Sequence, residues 1–142
     1  MSLVFKMQKK LAEKGDPDAQ FVVAICYAEG RGVAADKVEM ISWYTKAAKQ
    51  GHIGAQCNLG NCFASGNGVR KDLTKAAKWY KKSAEAGFDL AQFNLGMCYA
   101  KGRGVKKDEE LAIHWLKKAE AQNNPLAVQA LKEEVWLSED ED

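Results

Sequence analysis

Residues 30–36 read GRGVAAD, two glycines ahead of an aspartate, and the phrase returns as GNGVRKD at 66–72 and GRGVKKD at 102–108. Gly30, Gly66 and Gly102 are 36 residues apart. A step of this length, between about 20 and 50 residues, marks a solenoid or an array. Outward from the loop, other positions keep the same step: Ala19, Ala55, Ala91 and Ala127; Cys26, Cys62 and Cys98; Tyr27, Phe63 and Tyr99; Asp36, Asp72 and Asp108; Trp43, Trp79 and Trp115. The period covers residues 15–122, with a half-unit at each end.

One unit shows what is being repeated. In GAQCNLGNCFAS, residues 54–65, the residues Ala55, Leu59, Cys62 and Phe63 form one apolar stripe at helical spacing. Gly66 closes that helix, as glycine does past a C-terminus. Asp72 is an N-cap for a second helix, LTKAAKWYKKSAEA, whose inner face is Ala76, Trp79, Tyr80 and Ser83/Ala84. Glu39 after Asp36 gives the first unit an aspartate form of the capping box. Helices this short are not stable alone in water, so units must stack to share a buried face. Small residues (Ala55, Gly60, Ala76, Ala77) allow close approach, and each tryptophan fills the space they leave.

The period divides the chain into a half-repeat helix at 1–14, repeats at 15–50, 51–86 and 87–122, a capping helix at 123–137 and an acidic tail at 138–142. Asn124 and Pro125 are the N-cap and first position of the last helix. There the signature decays, with Lys132 in place of Ala24, Gly60 and Gly96, as a polar terminal cap requires.

Composition narrows the function classes. The 142 residues are 46% hydrophobic with a net charge of +2, which gives no electrostatic case for nucleic acid or membrane. No apolar run approaches the ~20 residues of a membrane span. The N-terminus, MSLVFKMQKK, lacks the h-region of a signal peptide. Cys26, Cys62 and Cys98 share one repeat position, too far apart for disulfides, and Cys57 and Cys62 point to different sides of one helix. All four cysteines therefore read as free thiols in a reducing compartment, and the expected location is cytoplasmic. No CxxC pair or neighbouring histidine supports a metal, and no cofactor is expected.

The order Ala–x3–Leu–Gly–x2–Tyr–x2–Gly–x–Gly–Val–x2–Asp–x3–Ala–x2–Trp–Tyr–x–Lys–Ala–Ala resembles the Sel-one-like repeat, a relative of the tetratricopeptide repeat. The second and third units match at nearly every position. The first departs at Val23–Ala24 and at Met40–Ile41. The resemblance implies an all-α fold, a right-handed α/α superhelix of helix pairs, and a role as an adaptor or scaffold in protein complexes. A secreted, cysteine-rich branch of the family joins the helices of each unit by disulfides. Here Ala84 occupies the second-helix position of that pairing, so the disulfides are not carried over.

In tetratricopeptide-like stacks the first helices line a concave surface. On the helical wheel their far side carries Phe21 and Ile25, then Cys57 and Asn61, then Phe93, Met97 and Ala100, and finally Gln129 and Trp136. Phe21, Ile25, Phe93 and Met97 make a second apolar stripe, which suits a bound helix or extended peptide. The alternative is that curvature or the N-terminal helix already covers these side chains. Asn58 and Asn94 also recur, either to clamp a ligand backbone or to bond a neighbouring loop.

The expected function is a non-catalytic adaptor that binds a protein or peptide segment, with no nucleic acid or membrane partner. Two other readings remain open: weak self-assembly through a solenoid end or the acidic tail, and a thiol-dependent enzyme centred on Cys57. The enzyme reading lacks a nearby cation to activate the thiol. His52 and His114 sit at unrelated repeat positions, with no nucleophile in register.

Overall fold

A computed structural model describes residues 1–133. These form eight α-helices and no strand: α1 Leu3–Glu13, α2 Pro17–Glu29, α3 Lys37–Lys49, α4 Ile53–Ser65, α5 Leu73–Glu85, α6 Asp89–Lys101, α7 Glu109–Ala121 and α8 Pro125–Glu133. They fall into two compact units, one spanning residues 1–71 and the other starting at residue 72.

The repeated loop does three jobs in each unit. Its first glycine ends a helix in the left-handed region (Gly30 at φ 69°, Gly102 at φ 67°), where a side chain would be strained. Its second glycine presses on the start of an earlier helix. A Cβ on Gly104 would lie 2.0 Å from the Leu73 carbonyl oxygen, and one on Gly68 3.1 Å from that of Lys37. The aspartate then caps the next helix. Asp36 Oδ1 accepts from the Val38 and Glu39 amides, Asp72 from Lys75 and Asp108 from Leu111. The Asp36 and Asp108 amides donate back to the carbonyls of Tyr27 and Tyr99, both 2.9 Å. Glu39 does not complete a capping box. Its carboxylate accepts from Trp43 Nε1 at 3.2 Å, one helical turn on.

In the first unit, α1 packs on α2, α2 on α3 and α3 on α4. Phe5 meets Tyr27 edge to face at 5.4 Å, inside a core of Ala19, Val23, Met40 and Ala47. Ser2 caps α1 and donates its amide to the Gly32 carbonyl, which ties the chain start to the first glycine loop. In the second unit α5, α6, α7 and α8 pack in succession around Leu95, Ala112, Leu116 and Ala127. Gly96 is needed there, because a Cβ would lie 2.9 Å from Leu116. Asn124 caps α8 through its side chain, with Pro125 at the first position.

The tryptophans are sheltered to different degrees. Trp43 and Trp115 are buried and Trp79 is half-buried. Each carries a lysine over its ring: Lys46 at 4.2 Å, Lys82 at 5.3 Å and Lys118 at 5.3 Å from the centroid. All three lysines are exposed, and each also uses the negative face of its indole.

A second recurring device is made of glutamines. Gln20, Gln56 and Gln92 are buried and donate to the carbonyls of Ala12, Ala48 and Ala84, each the penultimate residue of the preceding helix. Gln50 bonds both Gln20 Oε1 and the Gly15 carbonyl, and Gln122 bonds both Gln92 Oε1 and the Gly87 carbonyl. Gln56 Oε1 is buried without a hydrogen-bond partner. In the repeat register Ala86 interrupts the series Gln50, Gln122.

Candidate functional site

The first-unit part of the expected surface is built on α2 and the start of α4. His52 is the N-cap of α4, with Nδ1 accepting from the Ala55 amide at 3.0 Å. That bond fixes the neutral tautomer with the proton on Nε2, which lies 3.2 Å from Asp18 Oδ1. The imidazole stacks on Phe21 at 4.4 Å with 24° between planes. Phe21 also meets Tyr44 at 6.1 Å, and Tyr44 Oη accepts from Asn58 Nδ2 at 3.3 Å. Asn58 thus serves a tyrosine hydroxyl rather than a loop. Phe21 and Ile25 are half-buried, and Asn61 is exposed.

The far side of α2 is therefore neither open nor closed. The reason is visible at Gly54, where an added Cβ would touch the Phe21 ring at 3.3 Å. The next first-type helix leans on that ring. Cys57 departs from the expectation of a surface residue, being 2% exposed. Its register is that of Phe21 and Phe93, but a thiol is too short to emerge where a phenyl ring does. Ala100 is also buried, in the core it shares with Ala112, Leu116 and Ala127.

The second-unit part lies on α6 and α8. Phe93 and Met97 are half-buried and pack against the core of Ala100, Ala112, Leu116, Ala119, Ala127 and Ala130. Gln129 is exposed and donates to Glu133 one turn on. Asn124 Nδ2 donates to Asp89 Oδ2 at 2.8 Å and links α8 to the start of α6. Trp136 lies outside the described residues.

Chemically these faces present rings, amides and a carboxylate, without a convergent reactive group. The four cysteines are free and buried. Burial pushes the thiols of Cys26 and Cys62 up, and that of Cys98 to about 11, which makes the nucleophilic thiolate scarcer. Among the described residues no three His, Cys, Asp or Glu side chains are placed to hold a metal ion, and no helix is long and apolar enough to cross a membrane.

Sequence reasoning passed over the glutamines and weighed His52 only as a catalytic group. The glutamines recur at the same 36-residue step as the alanines beside them, so the signal was present. His52 breaks its series (Asp16, His52, Phe88, Asn124), and such a break shows its meaning only when Phe21 is seen against it.

Capped helix pairs on a 36-residue period, with an αL glycine and an aspartate at each loop, define a helical-repeat protein related to the tetratricopeptide class. Residues 17–52, 53–88 and 89–124 each match the Sel1 repeat. The chain belongs to the Sel1 repeat family. It is similar to a Sel1 repeat protein from Oxalobacter formigenes, with 42% identity and a TM-score of 0.85 over 90% of this chain and 96% of that one. It is also similar to a protective antigen of uropathogenic Escherichia coli strains displaying an SLR fold, with 34% identity and a TM-score of 0.86. That match covers 89% of this chain but only 27% of the Escherichia coli protein. Helicobacter pylori cysteine rich protein B is 25% identical, with a TM-score of 0.70 over 90% of this chain and 97% of that one. No curated protein matches the chain. Sel1 repeat proteins commonly act as protein–protein interaction scaffolds and are generally not catalytic.

Proposed function

We propose that this chain is an adaptor that binds a protein or peptide segment on its first-type helices, with α2 and α4 of the first unit as the candidate surface. The observation that carries this reading is the Phe21–His52 stack. An aromatic pair is left half-covered, with the exposed Asp18 carboxylate on one side and exposed Asn61 on the same set of helices. A flat apolar platform bordered by hydrogen-bonding groups suits a peptide side chain packed by its ring or aliphatic face, with its backbone held by amides. We place the protein in a reducing, cytoplasmic setting, on the strength of four buried thiols and no disulfide.

Phe93 and Met97 are poor choices for a binding test, because replacing them with aspartate would disturb the core they pack on. Asn61→Arg and Phe21→Glu are better. Peptides selected against the whole chain from a display library should lose at least tenfold in affinity for both variants, with helical circular dichroism retained as the check on folding. Unchanged affinity for both would refute the surface.

A further inference from the structure

α1 is in the register of the second-type helices α3, α5 and α7. One repeat on, Val4, Met7 and Leu11 correspond to Met40, Trp43 and Ala47 of α3. Between α2 and α4, those α3 residues are 2%, 6% and 0% exposed, whereas Val4, Met7 and Leu11 are 69%, 59% and 46% exposed. The same repeat position is core in one helix and bare in the other. Two features border the bare stripe. On one edge are the exposed Lys6, Lys10 and Lys14, at successive turns. On the other is a cleft of about 310 Å³ whose lining includes Val4, Phe5, Val22, Ile25 and Arg31.

The chain itself carries a segment with the complementary order. Residues 135–142 read VWLSEDED, three apolar residues around Trp136 and then the run Glu139–Asp142. From residue 136 to 139 an extended chain spans about 10 Å, close to the diameter of one helix, about 10–12 Å. A segment crossing α1 can therefore reach the cleft with its indole and the lysines with its carboxylates.

We propose that the bare face of α1 receives the C-terminal segment 135–142 of a second copy of this chain, with Trp136 in the cleft and Glu139–Asp142 along Lys6, Lys10 and Lys14. Such a contact is heterologous. Each copy gives a tail and takes one, so association continues into rings or open chains. The pairing does not rest on the adaptor reading, since its principal contacts are on α1 rather than on the Phe21–His52 platform. Its charged half weakens with salt and its apolar half persists.

Sedimentation velocity of the whole chain, of Val4→Glu/Met7→Glu and of Trp136→Glu tests it. Wild type should gain mass with concentration, less so in 0.5 M salt (about a twofold shorter screening length than at 0.1 M). Each variant alone should stay monomeric with unchanged helical circular dichroism, since Val4 and Met7 are exposed. Mixed in equal amounts, the two variants should form dimers and stop there, because one keeps an intact tail and the other an intact α1. A fluorescein-labelled peptide of residues 134–142 should bind wild type at least tenfold more tightly than Val4→Glu/Met7→Glu. Monomeric wild type at all concentrations overturns the proposal. So does a Trp136→Glu chain that associates like wild type, which would mean that α1 faces pair with each other.

Discussion

The imidazole of His52 lies flat on the ring of Phe21, centroids 4.4 Å apart, while its Nδ1 caps α4 through the Ala55 amide. One side chain thus ends a helix and supports the candidate binding platform. His52→Ala should cost about 0.5–2 kcal/mol, the range for a lost N-cap, with the loss of stacking adding to it. His52→Asn should recover most of the capping part, since Asn124 caps α8 in the same register. Urea unfolding of the two variants measures the difference.

Gln50 bridges Gln20 Oε1 and the Gly15 carbonyl at 2.8 and 2.9 Å. Gln50→Ala should cost about 1–3 kcal/mol, because a buried acceptor loses its partner. It would put Gln20 in the condition of Gln56, whose Oε1 is already without one. Gln122→Ala should behave likewise in the second unit, and chemical denaturation reads both.

Two glycines with positive φ should respond differently to the same change. Gly15→Ala, with open space around it, should cost only backbone strain, about 1–3 kcal/mol. Gly104→Ala drives a methyl group into the Leu73 backbone. Its cost should fall at the large end of single substitutions, about 4 kcal/mol or more. Paired melting curves decide the order.

Burial raises the Cys98 thiol from 9.0 to about 11. A group raised on folding favours the native state below its unfolded value and loses that contribution as pH climbs through the folded one. The chain should therefore lose stability between about pH 9 and pH 11 through Cys98. Cys98→Ala should flatten that part of the profile in melting temperature against pH. Iodoacetamide should label native Cys98 slowly at pH 8 and rapidly once the chain is unfolded.

The period, the helix pairing, the αL glycines and the aspartate caps were legible in the sequence. Each is a local requirement repeated at a fixed step: glycine where φ is positive, a carboxylate where amides lack partners. The second glycine of each loop was legible as a recurrence but not as a necessity, since its reason is a helix some thirty residues earlier in the chain. The candidate surface was legible only in part. A helical wheel gives the direction of Phe21, Cys57 and Phe93 from the axis, but not how far each reaches or what leans on it.

What the sequence determined by itself was which residues turn inward along each helix, because helical spacing and capping act within a few residues. Only the tertiary structure decided how much of the opposite side stays uncovered. Phe21 became a platform because His52 lies on it, Cys57 sank because a thiol is short, and Val4 and Met7 are exposed at the repeat positions where Met40 and Trp43 are covered. Those outcomes depend on neighbours far along the chain, and packing against a neighbour is a property of distance rather than of sequence pattern.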